Sequence, residues 1–287
     1  MGTRPLRQHY DRVERYLVDP RLGSTIEPWR RHRARFLATL EAFDEEQWTA
    51  PTHCTDWNAR DVISHLITVD QFFAVSLLGA QAGTPTEMLP GFDPKAIPEL
   101  LVAPMRAKSS AELLDDFAAG QEMYVQTVDA LAPEDWAKWG ESPFGLVPAH
   151  LVLAHAFWDS WVHERDILVP QGLEPTVEPD EAFVAAWYSL FFGCVQGGQV
   201  GDADGPEEAI VGEVVFAEMP ERSIRVRVGD RVRLDAASAS GAGEAATVLP
   251  AVAFVDAFTQ RGGASQDTVR QLPDDLSAQL ARAQQTF

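Results

Sequence analysis

The sequence predicts an α+β protein built from a helical first domain and a smaller α+β second domain, and three observations carry that prediction. Apolar residues recur at helical spacing in four long segments before residue 170. Farther along, after one more helix, the pattern turns to the alternation of half-buried strands. Between the two regimes lies PQGLEPTVEPDE, whose prolines and glycine mark a join. Residues 1–174 are therefore assigned to the first domain and residues 175–287 to the second.

Residues 1–24 are charged and read as an arm. Trp29, Phe36, Leu37, Leu40 and Phe43 keep helical spacing from Ile26 to Trp48, with Arg30, Arg31, Arg33 and Glu41 on the opposite, solvated side. A second helix starts at PTHCTDWNARDV, where Asn58 can cap the free amides of the first turn and Asp61 can return the bond. It runs from about Ala59 to Leu78. On its wheel His65 shares a face with Val62, Val69, Phe72 and Phe73, which turns it inward, while Ser64, Asp70 and Gln71 point elsewhere. The long loop GAQAGTPTEMLPGFDPKAIPE reads as a functional rim or lid. A third helix spans about Ser110 to Leu131 around Leu113, Phe117, Tyr124 and Val128, and a loop containing WAKWGESPFG leads to Pro148, placed to open a fourth helix that ends near Val169.

In the second domain an aromatic helix from about Asp180 to Gln196 ends at Gly197 and Gly198. Its aromatics are read as core. EEAIVGEVVFAEM, a hairpin RSIRVRVGDRVRLDA turning at Gly229 and Asp230, and AATVLP then read as strands. PAVAFVDAFTQRGG and DDLSAQLARAQQ close the chain as helices.

A formal charge of −20 over 287 residues, from 43 acidic and 23 basic side chains, disfavours nucleic acid and anionic membranes as partners. The N-terminus lacks the apolar run of a signal peptide, and the apolar stretches read as shorter than a membrane span, so the expectation is a cytoplasmic protein without membrane association. Cys54 and Cys194 belong to no CxxC pair and read as free, structural cysteines.

The fourth helix holds the chemistry. His155, Asp159 and His163 recur every fourth residue in HAFWDSWVH and so share one stripe, with Val152, Val162 and Asp166 in the same sector. Glu164 falls on the opposite side with Leu153, Phe157 and Ser160, which excludes it from a site on that stripe. Imidazoles and a carboxylate are ligands for a divalent metal, and a second helix must supply a further direction; His65 is the candidate. Two imidazoles and one carboxylate would leave the ion positively charged with open positions. His155 is read as a further ligand, a proton carrier or a supporting group, and Asp166 as the group that orients His163. Burying these polar groups without a metal would need dedicated partners, because each unpaired one costs ~1–3 kcal/mol.

CTDWNARDVISHL resembles the signature Cys-x-x-Trp-(Ser/Thr)-x-x-Asp-Val-x-x-His-Leu of the mycothiol-dependent maleylpyruvate isomerase family in the DinB-like superfamily, and DSWVHERDIL resembles its Glu-x-x-x-His-x-x-Asp-Ile. The resemblance covers essentially the whole chain. It implies a DinB-like four-helix bundle followed by a small α+β domain similar to sterol carrier protein, with His65, Asp159 and His163 as metal ligands and zinc as the ion. Asp159 stands where the family usually has Glu, and Asn58 where it has Ser or Thr. The family's chemistry implies an enzyme in which the metal holds the thiolate of mycothiol or a related small thiol. That thiolate would serve in S-transfer or cis–trans isomerisation of a small electrophile. Apart from the resemblance, His155 is the candidate catalytic residue on the stripe, and a monomer or homodimer is expected. A metal-dependent hydrolase and a non-catalytic binding protein are the alternatives.

Overall fold

The computed structural model describes residues 6–198, 200, 209–238, 246–261 and 266–286. They form two compact units, one of residues 25–176 and one that joins the N-terminal arm up to Ser24 to the chain from Val177 onward. The join lies two residues beyond the expected 174–175. The arm, expected with the helical domain, belongs instead with the sheet.

In the helical unit the first expected helix is broken in two. Helix α1 (Ile26–Glu41) stops at Ala42, and α2 (Glu45–Thr49) begins afresh because Asp44 and Gln47 form a reciprocal capping box. Helix α3 (Ala59–Gln81) starts where expected: the Asn58 side chain accepts from the amide of Asp61 at 3.1 Å. Asp61 does not return the bond. Its carboxylate accepts from Arg106 Nε at 2.9 Å, a stronger charged partner. Helix α4 (Ala96–Val102) interrupts the expected loop, α5 (Ser110–Ala130) follows on a Ser109–Glu112 capping box, and α6 (Ala149–Leu168) carries the stripe. Phe36, Leu40, Val62, Ile63, Leu66, Leu113, Phe117 and Ile167 make the core of the bundle. Because α3 packs against both α5 and α6, it is apolar on more than one face. It is thereby long and apolar enough to cross a membrane by length and composition, which corrects the reading that every apolar stretch falls short; a core helix passes the same test.

Two further departures matter for the site. The segment read as a loop before Pro148 is a hairpin of β2 (Trp139–Ser142) and β3 (Gly145–Pro148). Gly145 has φ +87°, a left-handed conformation that closes this tight turn. Arg33, expected on the solvated side of α1, is fully buried: it pairs with Asp70, donates to Ser160 Oγ at 3.0 Å and lies over the Phe117 ring. Asp70, which points away from the His65 face as expected, points into this pairing rather than to water. Helical periodicity in one segment does not register a partner on another helix.

In the sheet unit the strands run in the order β1-β6-β5-β4-β7. These are β1 (Tyr16–Val18), β4 (Ala209–Phe216), β5 (Arg222–Val228), β6 (Val232–Ser238) and β7 (Thr247–Leu249). The hairpin β5–β6 turns at the expected Gly229–Asp230, with Ile224, Val226, Val232 and Leu234 inward. The arm contributes β1, parallel to β6 with Leu17 opposite Arg233. Residues 207–208 and 245 of the expected strands, and 262–263 of the expected helix, lie outside the described residues. Helices α7 (Pro179–Gly197), α8 (Ala251–Phe258), α9 (Asp267–Arg270) and α10 (Asp274–Ala283) complete the unit. The aromatics of α7 are buried as core, Phe183 packing edge-on to Phe216. A Cβ at Gly197 would fall on the Gln279 carbonyl, so glycine permits α7 and α10 to approach closely.

Candidate functional site

The stripe of α6 and the first turns of α3 meet within the helical unit. One ligand atom each from His65, Asp159 and His163 lies within 4.8 Å of the others. Asp159 sits between the two imidazoles: Oδ2 is 3.5 Å from His65 Nε2, and Oδ1 is 3.7 Å from His163 Nε2. The two rings stand nearly perpendicular, 5.1 Å apart at their centroids. Side-chain exposure is 13% for His65, 16% for Asp159 and 9% for His163, so the cluster is largely buried and only parts of His65 and Asp159 reach solvent. Two imidazoles and a carboxylate fit a divalent ion and would leave coordination positions for an exogenous ligand.

Each member is held differently. His163 Nδ1 is 2.8 Å from Asp166 Oδ2, and since a carboxylate only accepts, Nδ1 must carry the proton and Nε2 faces Asp159. His65 packs against the Trp57 ring, whose Nε1 donates to Glu99 Oε2 at 2.9 Å. Its Nδ1 is buried without a hydrogen-bond partner. Burial by itself would raise the Asp159 carboxyl, but His163 and His65 outweigh it and hold that group well below the usual carboxylate range. Burial pushes His163 the other way from its neighbours: desolvation lowers it, and Asp159, Cys54 and Asp166 together raise it well above its ordinary value.

His155 is outside this cluster. It stacks on Phe144, meets Phe73 and Trp158, and is 6% exposed. Burial in this aromatic nest pushes its imidazole down to about 4, against the pull of Asp159, so at neutral pH it is uncharged. Phe144 comes from the β2–β3 turn, which nothing in its local sequence marks as part of a site. The hairpin also fixes the loop between α3 and α4. Glu141, fully buried, accepts the amides of Met88 and Leu89 at 2.8 and 2.7 Å, while Ser76 Oγ on α3 bonds to its backbone.

Other polar residues near the stripe have their own partners. Glu164 does stand apart, buried 3.4 Å from His32 Nδ1 on the other side of α6, where His32 Nε2 meets Ser160 Oγ at 3.0 Å. Cys54 is not an inert core residue: its Sγ lies 3.3 Å from Asp166 Oδ2 and 3.8 Å from His163 Nδ1. Cys194 is buried. Arg60 bonds to the Lys108 carbonyl, and Arg165 lies over the Trp161 ring, 5.1 Å from its centroid.

Residues 29–168 match the family model described as the mycothiol maleylpyruvate isomerase N-terminal domain. No curated protein matches the sequence. Among solved structures, the crystal structure of the mycothiol-dependent maleylpyruvate isomerase is similar with a TM-score of 0.56 at 16% identity, over 83% of this chain and 88% of that one. A histidine-to-alanine mutant of the mycothiol-dependent maleylpyruvate isomerase gives 0.55 at 13% identity with the same coverage. At these identities the likeness is one of fold.

Proposed function

We propose, from the match of residues 29–168 to the mycothiol maleylpyruvate isomerase N-terminal domain model, that the chain is an enzyme using mycothiol or a related small thiol on a small electrophile. The reaction is a cis–trans isomerisation or an S-transfer. The observation that carries the reading is the convergence of His65, Asp159 and His163 on two helices of the bundle. A divalent ion held there, zinc by the family resemblance, would supply the positive charge that keeps a thiol deprotonated near neutral pH.

The chain's own residues do the rest. Asp166 holds the Nδ1 proton of His163 and so aims Nε2 into the site. Asp159 keeps both imidazoles in register. His155, uncharged in its nest of Phe73, Phe144 and Trp158, is the candidate proton carrier on the same helix stripe, while the charge of the ion rather than this weak base would keep the thiol deprotonated, its proton leaving to solvent. In isomerisation the thiolate sulfur adds to one carbon of a conjugated double bond, the electron pair moves to the carbonyl oxygen, the former double bond rotates, and expulsion of the thiolate restores it. No atom is gained or lost. In S-transfer the sulfur instead displaces a leaving group.

Metal analysis joined to native mass spectrometry with mycothiol tests this. The expected result is about one divalent ion per chain and thiol adducts that vanish when the metal is stripped. Full metal occupancy in a His65→Ala, Asp159→Ala, His163→Ala variant would overturn the site. Thiol-independent turnover would favour water as the nucleophile, and thiol binding indifferent to metal would favour a binding protein.

A further inference from the structure

We propose that Cys54, the Nδ1 side of His163 and Asp166 form a second cation site, one that takes a soft divalent ion and competes with the first site for His163. The three ligand atoms lie within 4.8 Å of one another, on the opposite side of the His163 ring from Asp159. Their separations are 3.3 Å for Sγ to Oδ2, 3.8 Å for Sγ to Nδ1 and 2.8 Å for Nδ1 to Oδ2. Bonds of ~2.0–2.3 Å at tetrahedral angles place donors about 3.3–3.8 Å apart. Small movements suffice to close the site on an ion.

His53 lies beside the cluster but outside its 4.8 Å grouping. His53 Nδ1 is buried, has no hydrogen-bond partner and lies 3.8 Å from Asp166 Oδ1. The loop that carries His53 and Cys54 is held to α6, since the His53 amide donates to the Asp166 carbonyl at 3.1 Å. Thr52 Oγ1 accepts the Cys54 amide and bonds to the Trp57 carbonyl, which keeps the turn closed. The donors therefore stand on fixed backbone from two elements rather than on a mobile surface.

The chemistry selects the ion. A thiolate ligand favours cadmium or zinc over magnesium or calcium. Coordination replaces the Cys54 thiol proton and the Nδ1 proton of His163, both of which leave to solvent, so that the bound imidazole is neutral and keeps its proton on Nε2. A neutral imidazole offers one lone pair, so His163 cannot serve both sites at once. Filling the second site takes a ligand from the first, and soft metal in excess would inhibit whatever the first site does.

The test is a cadmium titration of the metal-free full-length protein, read by the ultraviolet thiolate-to-cadmium charge-transfer band. The band is expected in the wild type, in Cys194→Ser, and in a His65→Ala, Asp159→Ala variant that dismantles the first site. It is expected to be absent from Cys54→Ser and to need at least ~10-fold more cadmium in Asp166→Asn. Alkylation of Cys54 by iodoacetamide should slow by at least ~10-fold under cadmium and not under magnesium. No band at saturating cadmium, a band that survives Cys54→Ser, or alkylation indifferent to cadmium would each overturn the proposal. Because the His65→Ala, Asp159→Ala variant keeps the band only if the second site is independent, its outcome separates failure here from failure of the first site.

Discussion

His163 Nδ1 and Asp166 Oδ2, 2.8 Å apart on successive turns of α6, decide which ring nitrogen faces Asp159. Replacing Asp166 by Asn removes the obligate acceptor, so either tautomer of His163 becomes available. The Asp166→Asn protein should bind its metal ~10–100-fold more weakly, as measured by competition with a chromophoric chelator.

Glu164 supplies the contrast. It neighbours His163 in sequence but faces His32, at 3.4 Å, on the other side of the helix. Glu164→Gln should leave metal content unchanged and lower stability by ~1–3 kcal/mol, whereas Asp159→Ala should lose the metal. Equal metal loss in both variants would mean that the face of α6 does not define the site.

His155 should make the protein acid-labile over a defined window. Its folded value of about 4 lies below the ordinary 6.5, so between these values the unfolded chain binds more protons and stability rises with pH. The contribution is fully present above 6.5 and is lost as pH falls towards 4. At ~1.4 kcal/mol per pH unit it amounts to about 3 kcal/mol. Urea unfolding at pH 7 and pH 4.5 should show a smaller loss in His155→Phe, whose ring can occupy the nest of Phe73, Phe144 and Trp158.

Arg33 and Asp70 form a pair with side chains almost wholly buried. Asp70→Asn leaves the guanidinium without its counter-charge and should cost ~3–5 kcal/mol. An apolar replacement of both residues, Arg33→Met with Asp70→Leu, should recover most of that loss in thermal unfolding.

Glu141 ties the α3–α4 loop to the hairpin through two amides. Glu141→Ala should raise amide exchange at Met88 and Leu89 and cost ~1–3 kcal/mol, with the bundle core unaffected. Unchanged exchange at those two amides would remove the hairpin's role in fixing the loop.

The convergence of His65, Asp159 and His163 was legible because it is local twice over. Four-residue spacing put Asp159 and His163 on one stripe, and the Asn58 cap set the phase of α3 that turns His65 towards them. What was not legible depends on partners distant in sequence. Arg33 reads as a surface residue on its own helix; only Asp70, on another, explains its burial. Phe144 reaches His155 through a hairpin turn with no helical or strand period long enough to announce it. Cys54 resembled a core cysteine until Asp166 was placed beside it. The break before α2 was encoded in Asp44 and Gln47, a capping pair hidden inside a continuous apolar pattern.

The parallel pairing of β1 with β6 makes the bundle an insertion within the sheet unit rather than its predecessor. During synthesis the arm must wait, unpaired, while the whole helical unit emerges and folds, and it finds its strand only when the far end of the chain arrives. Deleting the arm would uncover the backbone edge of β6, a template for other chains. A cut at the apparent boundary near residue 176 would therefore leave the arm on the bundle fragment and the sheet without its first strand, prone to association.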